Sequence, residues 1–165
     1  MDVKLSIERD LAVRAPVENA DFLFVDIAST LRRFPKLAEL HALGANEYRW
    51  RMKTIGSRAA RVAYDAEFHV KTQIDRNARS LCWTPVPESG NAQLAAELSV
   101  VSDKPGCRLI LKLSGQLRDV PVPLVYRPMA GPFIRGKFLR LVDDFLDGIR
   151  ASMVEADCRQ TAVGG

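Results

Sequence analysis

A change of periodicity near the C-terminal end of this chain of 165 residues constrains its fold most strongly. Between Cys107 and Leu117, apolar residues occupy every second position except Gly115, and most of the intervening positions are polar. This alternation predicts a β-strand with one buried face. Beyond a proline-rich bridge the apolar residues follow the i, i+3, i+4, i+7 spacing of an amphipathic helix: Phe138, Leu141, Val142, Phe145, Ile149 and Met153. A long helix that follows a sheet can lie across it and enclose a pocket, and a pocket would be a clue to function.

The preceding sequence predicts one strand, a helical stretch and further strands joined by short turns. Residues Val3 to Val13 alternate as a strand, with Arg9 on the apolar face, and Pro16 suits the start of a helix. The remaining strands are predicted at 37–43, 47–55, 58–74, 81–86 and 94–101. Short turns between successive strands favour antiparallel pairing.

Composition limits the chain to one domain of ordinary globular character, 47% hydrophobic and 27% charged. We expect residues 1–155 to form it and 156–165, where the periodicity is lost, to be a flexible tail. The net charge of +4 is mildly basic and does not by itself indicate nucleic acid as a partner. Cys82, Cys107 and Cys158 are widely spaced, which predicts reduced thiols. Because we see neither a secretory signal nor a membrane span, we expect a cytoplasmic protein.

The order of one strand, helices, six strands and one long helix resembles the helix-grip fold of the START-like superfamily, also called SRPBCC. Three local features add to the resemblance: Ala15 and Pro16 at the first strand–helix junction, Leu81 to Trp83 followed by Gly90 and Asn91, and the apolar stripe of the last helix. The strand–turn–strand is similar to the polyketide cyclase/dehydrase branch. The resemblance implies an α+β fold with a curved seven-stranded antiparallel sheet, two short helices and a long C-terminal helix. Members of the superfamily bind lipids, sterols, polyketides and plant hormones.

The same resemblance implies a cavity between the sheet and the last helix. Pockets for small ligands are mainly apolar, with a few placed polar groups. The residues expected to line the cavity share the predicted inner faces: Tyr48, Trp50, Met52, Tyr64, Phe68, Leu98, Leu109, Leu111, Leu113, Phe138, Leu141 and Phe145. The alternative is that these side chains fill a solid core.

A few polar residues are candidates for more specific roles. Arg9 needs a partner if it is buried, either an anionic group on a ligand or a structural ion pair, unless a bulge turns it to solvent. Tyr48 and Tyr64 are the candidate proton donors if the chain is an enzyme, although a core tyrosine bonded to backbone is the commoner arrangement.

His41 and His69 show no catalytic arrangement. Asp65, Glu67 and His69 alternate on one strand face and are a weak candidate for a metal site, against the expectation that His69 is simply solvated. We expect neither a metal nor a cofactor.

Cations and apolar residues concentrate in two segments. Five cations and no acid lie between residues 49 and 61, and Arg127, Arg135, Lys137 and Arg140 lie around the start of the last helix. These cations either form a solvated outer face of the sheet or face an anionic membrane. The bridge of residues 120–129 is apolar and stiffened by prolines. It is interpreted as a lid over the pocket, a loop that dips into an anionic membrane, or a packed connector. The absence of an RNA-binding motif argues against nucleic acid.

Three functions therefore remain. The first is binding or transport of a hydrophobic small molecule, such as a lipid, isoprenoid or polyketide, without catalysis. The second is a polyketide cyclase-like enzyme that uses the same cavity mainly to position its substrate. The third is a module with a filled core that docks on a membrane or on another protein.

Overall fold

A computed structural model describes residues 1–57, 59 and 61–163 of the chain. In chain order its elements are β1 (Val3–Val13), a 3₁₀ helix (Val17–Phe24), α1 (Ile27–Leu31), β2 (Leu37–Gly44), β3 (Glu47–Met52), β4 (Ile55–Ser57), β5 (Val62–Tyr64), β6 (Glu67–Asp75), β7 (Ser80–Pro85), β8 (Ala92–Asp103), β9 (Gly106–Leu117), a 3₁₀ turn (Leu124–Tyr126) and α2 (Arg127–Val163).

Seven of the strands form one antiparallel sheet in the order β1-β9-β8-β7-β6-β3-β2. β9 lies between β1 and β8, with Leu111 opposite Arg9 on one side and opposite Leu98 on the other. The predicted apolar positions of β9 are all buried, so the period of two did identify its inner face. The α+β helix-grip fold is confirmed, because α2 covers the face of the sheet that carries the buried side chains.

Helix α2 is 37 residues long, and its apolar stripe is buried from Ala130 to Met153. The helix runs further in both directions than its periodicity predicted. It begins at Arg127, within the proline-rich stretch, with Pro132 in its second turn. At its other end, the expected flexible tail of residues 156–165 is helical as far as Val163, the last residue that the structure describes.

Charge is divided unevenly along α2. Residues 127–142 carry four cations and no acid, whereas residues 143–163 carry five acids and two cations. The N-terminal end of a helix is already the positive end of its peptide dipoles. Both the side-chain charges and the peptide dipoles therefore make the start of α2 the positive end of the helix.

The two ends of α2 are held by different parts of the chain. Near the C-terminal end, the amide of Asn19 donates to the carbonyl of Met153 at 3.1 Å, and Arg33 donates to the hydroxyl of Ser152 at 3.1 Å. Just before the helix begins, Val120 and Met1 exchange backbone hydrogen bonds. No helix within the described ranges is long and apolar enough to span a bilayer.

The strand predicted over 58–74 is interrupted. Residues 62–64 pair with β4 in a separate two-stranded hairpin, and the sheet strand β6 begins only at Glu67. Arg61 has a positive φ of 51°, which no extended strand allows, and Arg58 and Ala60 lie outside the described residues. The side chain of Asn91 spans the gap between β5 and β6, since it accepts from the Glu67 amide and donates to the Asp65 carbonyl, both at 2.8 Å.

Candidate ligand-binding site

The predicted cavity-lining residues do lie in the interior between the sheet and α2, with one exception. None of these is more than 6% exposed: Trp50, Met52, Tyr64, Phe68, Leu98, Leu109, Leu111, Leu113, Phe138, Leu141 and Phe145. The exception, Tyr48, is half-buried at the edge of this core. Sequence periodicity thus identified the inner face, but burial alone does not separate pocket wall from packed core.

Aromatic rings occupy much of this interior. The ring centroid of Trp50 lies 5.1 Å from that of Phe34, 5.9 Å from Phe68 and 6.3 Å from Trp83. Phe145 of α2 joins the cluster through Phe34, at 5.2 Å. These are the distances of favourable edge-on and tilted ring contacts. In this conformation a ligand can reach the interior only if some of these rings move.

Two members of the cluster were missing from the residues predicted to line the site. Trp83 could have been found from the sequence, because it alternates with Leu81 in a strand, and both residues are fully buried. No periodic pattern indicates Phe34, because it lies in the irregular segment between α1 and β2. Only the three-dimensional packing shows that it connects Trp50 to Phe145.

The indole nitrogens of Trp50 and Trp83 are buried without a hydrogen-bond acceptor in the part of the chain that the structure describes. The two side chains are 0% and 1% exposed. Buried donors almost always have a partner, and an unpaired one costs about 1–3 kcal/mol. The interior of this protein is therefore short of acceptor atoms at its two bulkiest side chains.

A narrow apolar groove lies at the surface, between β5 and the start of α2. Its volume is about 210 Å³, and Val62, Tyr126, Met129, Ala130 and Phe133 line it. Apart from the hydroxyl of Tyr126, every lining side chain is apolar. Val62 and Ala130 are only 2% exposed and belong to the core, so the groove floor is the outer surface of the packed interior. Small-molecule pockets are usually about 300 Å³ or larger, so the groove alone holds only part of a typical ligand.

Tyr64, a candidate proton donor, has a structural role in this conformation. Its hydroxyl lies 2.6 Å from the carbonyl of Asn91 and 2.9 Å from that of Arg118. The phenol thereby ties β5 to the segments that flank β8 and β9. Burial raises the pKa of Tyr64 to about 12, and the charges of Asp119 and Asp2 act in the same direction. A phenol bound in this way is a poor proton donor near neutral pH.

The raised pKa of Tyr64 predicts a pH effect on stability. The unfolded chain loses this proton near pH 10.0 and the folded chain only near pH 12, so the stabilisation from the neutral phenol is complete below pH 10.0 and is lost as the pH rises towards 12. We expect the free energy of unfolding to fall more steeply across this range in the wild type than in Tyr64→Phe. Guanidinium titrations of both proteins at several pH values measure the difference. Parallel slopes would show that the phenol does not have the raised pKa.

The other catalytic candidate, Tyr48, lies in β3 of the large sheet, whereas Tyr64 lies in the β4–β5 hairpin. It lines a wide polar depression of about 550 Å³ together with Asn46, Thr72 and Arg76. Val25 and Ile27, which precede and begin α1, form the same depression. The structure thus places Tyr48 and Tyr64 in separate environments, and the two phenols do not face one substrate position.

Arg9 is neither buried nor directed at a cavity. Its Nε donates to Asp143 Oδ1 of α2 at 2.8 Å, and the two side chains are 39% and 46% exposed. Of the roles expected for this residue, the structural ion pair fits the geometry. Half-exposed pairs of this kind contribute little to stability, but this one fixes the middle of α2 over β1.

The histidines and cysteines do not assemble into a reactive group. His69 Nε2 lies 3.3 Å from Glu47 Oε1, and His41 Nε2 lies 3.2 Å from Glu39 Oε2. Within the described ranges, no three side chains of the metal-binding types come together. Cys107 is buried in the core, which raises the pKa of its thiol, whereas Cys158 is exposed on α2.

Among the comparisons with known proteins, only the comparison with solved structures found matches, and it shows the fold. No protein-family model matches the chain, and no curated protein matches its sequence. Among solved structures, the chain is similar to the Zhui aromatase/cyclase from Streptomyces sp. R1128, with 15% identity, a TM-score of 0.63 and coverage of 98% of this chain and 99% of that one.

Two further structures show the same architecture. One is a START superfamily protein from Mycobacterium smegmatis, with 12% identity, a TM-score of 0.62 and coverage of 92% of this chain and 98% of the other. The second is norcoclaurine synthase from Thalictrum flavum, with 16% identity, a TM-score of 0.60 and coverage of 95% and 98%. Identities this low show the START-like helix-grip fold and not a shared activity.

Proposed function

We propose that this chain, which has the helix-grip fold, binds a hydrophobic small molecule between its sheet and α2. The groove lined by Val62, Ala130 and Phe133 is the place where such a molecule first contacts the protein. The molecule then extends under the helix towards Trp50 and Trp83. Lipids, isoprenoids and polyketides have the required apolar character.

The unpaired indole N–H groups of Trp50 and Trp83 carry the proposal. The buried side chains around them are apolar except for Thr72, which lies opposite Trp83 and donates its hydroxyl to the Asn46 carbonyl. The carbonyl oxygen of a ligand supplies the acceptor that the two indoles lack. A ligand of this kind recovers the free energy lost by burying each unpaired donor. The preferred ligand is therefore an apolar molecule with one or two carbonyl oxygens, and not a plain hydrocarbon.

Binding also requires that aromatic rings rearrange. Phe34 bridges Trp50 on the sheet to Phe145 on α2 and follows the short helix α1 instead of lying in a strand. It is the member of the cluster that lies outside both the sheet and α2. Displacement of Phe34 opens a path between the sheet and the helix, and contacts with the ligand offset the lost ring contacts.

The test compares two probes of similar size, dimethylnaphthoquinone and dimethylnaphthalene, of which only the quinone has carbonyl oxygens. Methyl groups on both reactive ring carbons prevent addition of the exposed Cys158 thiol to the quinone. We expect the quinone to bind about tenfold more tightly, because it accepts hydrogen bonds that the hydrocarbon cannot. Equilibrium dialysis measures the affinities. Emission from Trp50 and Trp83, the only tryptophans in the chain, reports whether the probe reaches the interior.

A matched pair of variants locates the binding path. Ala130→Phe adds a ring at the buried floor of the groove and, in a variant that thermal melting shows to be folded, is expected to weaken quinone binding at least tenfold. Ala151→Phe makes the same change at an exposed position on the same helix and should leave binding unchanged. Equal affinity for the two probes, or equal behaviour of the two variants, would overturn the proposal, as would the absence of binding to the wild type.

The cyclase alternative has less support from the geometry. The hydroxyl of Tyr64 is engaged by two backbone carbonyls. Tyr48 lies two positions from Trp50 along β3 but lines a separate, polar depression. The ligand-binding function, without chemistry, therefore accounts best for the arrangement of the site.

A further inference from the structure

The start of α2 and the turn before it expose an unusual amount of apolar surface. In the described part of the chain, half of the large apolar side chains that are exposed fall within ten residues. We call these five the docking patch: Leu124 (74% exposed), Val125 (83%), Tyr126 (43%), Met129 (72%) and Phe133 (36%). Exposed apolar residues are common singly, but a contiguous cluster marks a surface that is covered in function.

The docking patch lies in a segment that carries only positive charge. Between residues 120 and 142 there are four cations and no acid. The ammonium of Lys137 lies 5.3 Å from the ring centroid of Phe133, so a cation and an exposed apolar ring share one position on the helix. Within the described residues, none of the four cations forms an ion pair with an acid. Their charge is therefore available to an external partner.

The backbone of this segment is stiff. Pro121, Pro123 and Pro128 fix φ at three positions around the patch. Leu124 and Val125 lie in the 3₁₀ turn between two of these prolines, and they are the two most exposed members of the patch. Little conformational freedom remains to be lost when this turn enters an apolar medium.

We propose that the docking patch binds the surface of an anionic lipid bilayer. Exposed apolar side chains in a segment whose only charged residues are cations match the boundary between lipid chains and negatively charged headgroups. A second copy of the chain fits less well, because a symmetric contact would bring the four cations of each copy together. This inference goes beyond the proposed ligand binding and does not depend on it.

The position of the patch has a direct consequence for ligand transfer. Tyr126, Met129 and Phe133 belong both to the docking patch and to the apolar groove. When the patch contacts a bilayer, the groove opens towards lipid instead of water. A hydrophobic molecule then passes between membrane and protein without crossing the aqueous phase.

Vesicle flotation tests the proposal with the full chain. Vesicles of phosphatidylcholine that contain about a third phosphatidylglycerol are compared with vesicles of phosphatidylcholine alone, at low and high NaCl. We expect binding to the anionic vesicles that is largely lost at high salt, and little binding to the neutral ones. Equal, salt-insensitive binding to both would overturn the proposal.

Two matched pairs of variants assign the effect to the patch. Val125→Asp is expected to reduce vesicle binding at least tenfold, whereas Val25→Asp, the same change at an exposed valine near α1, should have no effect. Arg127→Gln should weaken binding about fivefold. Arg14→Gln, at the far end of β1, removes an exposed cation outside the patch and should leave binding unchanged.

Two outcomes would contradict membrane binding by the docking patch. Equal losses in Val125→Asp and Val25→Asp would show that binding is not confined to the patch. A wild type that ignores all vesicles but elutes as a dimer, which Val125→Asp converts to a monomer, would assign the patch to a second copy instead. Because all four substituted side chains are exposed, thermal melting should confirm that every variant folds.

Discussion

Replacement of Trp50 by alanine is expected to lower the free energy of unfolding by about 3–5 kcal/mol. Trp50 is fully buried, and its ring contacts those of Phe34, Phe68 and Trp83. The substitution removes the side chain that connects the sheet to the aromatic cluster and leaves a void that the surrounding rings cannot fill. Urea denaturation followed by far-UV circular dichroism measures the loss.

The conservative variant Trp50→Phe separates packing from the unpaired donor. It keeps an aromatic ring but removes the indole N–H, which has no acceptor within the described structure. Relief of that unpaired group offsets part of the lost contact area, so we expect a loss of less than about 2 kcal/mol. If Trp50→Phe cost as much stability as Trp50→Ala, the indole nitrogen would have to be hydrogen-bonded in the folded protein, for example to a buried water.

Gly56→Ala is expected to be the most damaging change to the groove. Gly56 has a φ of +131°, and a Cβ atom there would lie 1.8 Å from the carbonyl oxygen of Val62. Both the strained φ and the backbone clash oppose the β4–β5 hairpin, at a cost of about 2–3 kcal/mol. Because Val62 forms one wall of the groove, we expect binding of the quinone probe to fall at least tenfold.

Gly44→Ala provides the matched control for this prediction. A Cβ atom at Gly44 would have no neighbour within 4 Å, so the same substitution there should leave the stability within about 1 kcal/mol of the wild type and probe binding unchanged. Urea titration and equilibrium dialysis of both variants give the comparison. Full probe binding by a folded Gly56→Ala protein would exclude the hairpin as a wall of the site.

The elements with strong periodicity were predictable from the sequence, for a simple physical reason. Burial of one face imposes a period of two on β9 and a helical period on α2, and few other constraints act on those positions. The order of the elements then led to the helix-grip fold. The interruption of the predicted strand before Glu67 escaped prediction because the alternation continues across it, and the positive φ of Arg61 has no compositional signal.

The site was harder to predict than the fold. Periodicity placed Trp50 and Phe145 on inner faces but did not show that Phe34 connects them. Periodicity placed Arg9 on the apolar face of β1 but did not show that its side chain pairs with Asp143 of α2. Tyr64 was found as an inward phenol, but its two carbonyl partners come from segments distant in sequence. Contacts between remote segments depend on the tertiary structure, which local patterns do not encode.

The uneven charge of α2 affects how the protein approaches a charged surface. At about 1.5 Å per residue the helix is about 55 Å long, and its cations and acids are concentrated in opposite halves. Such a separation of charge is an electric dipole, and the field of a negatively charged surface exerts a torque on it. This torque acts to turn the start of α2, with the groove beside it, towards the surface. The charged side chains of α2 therefore act on the orientation of the protein before contact, and not only on adhesion after it.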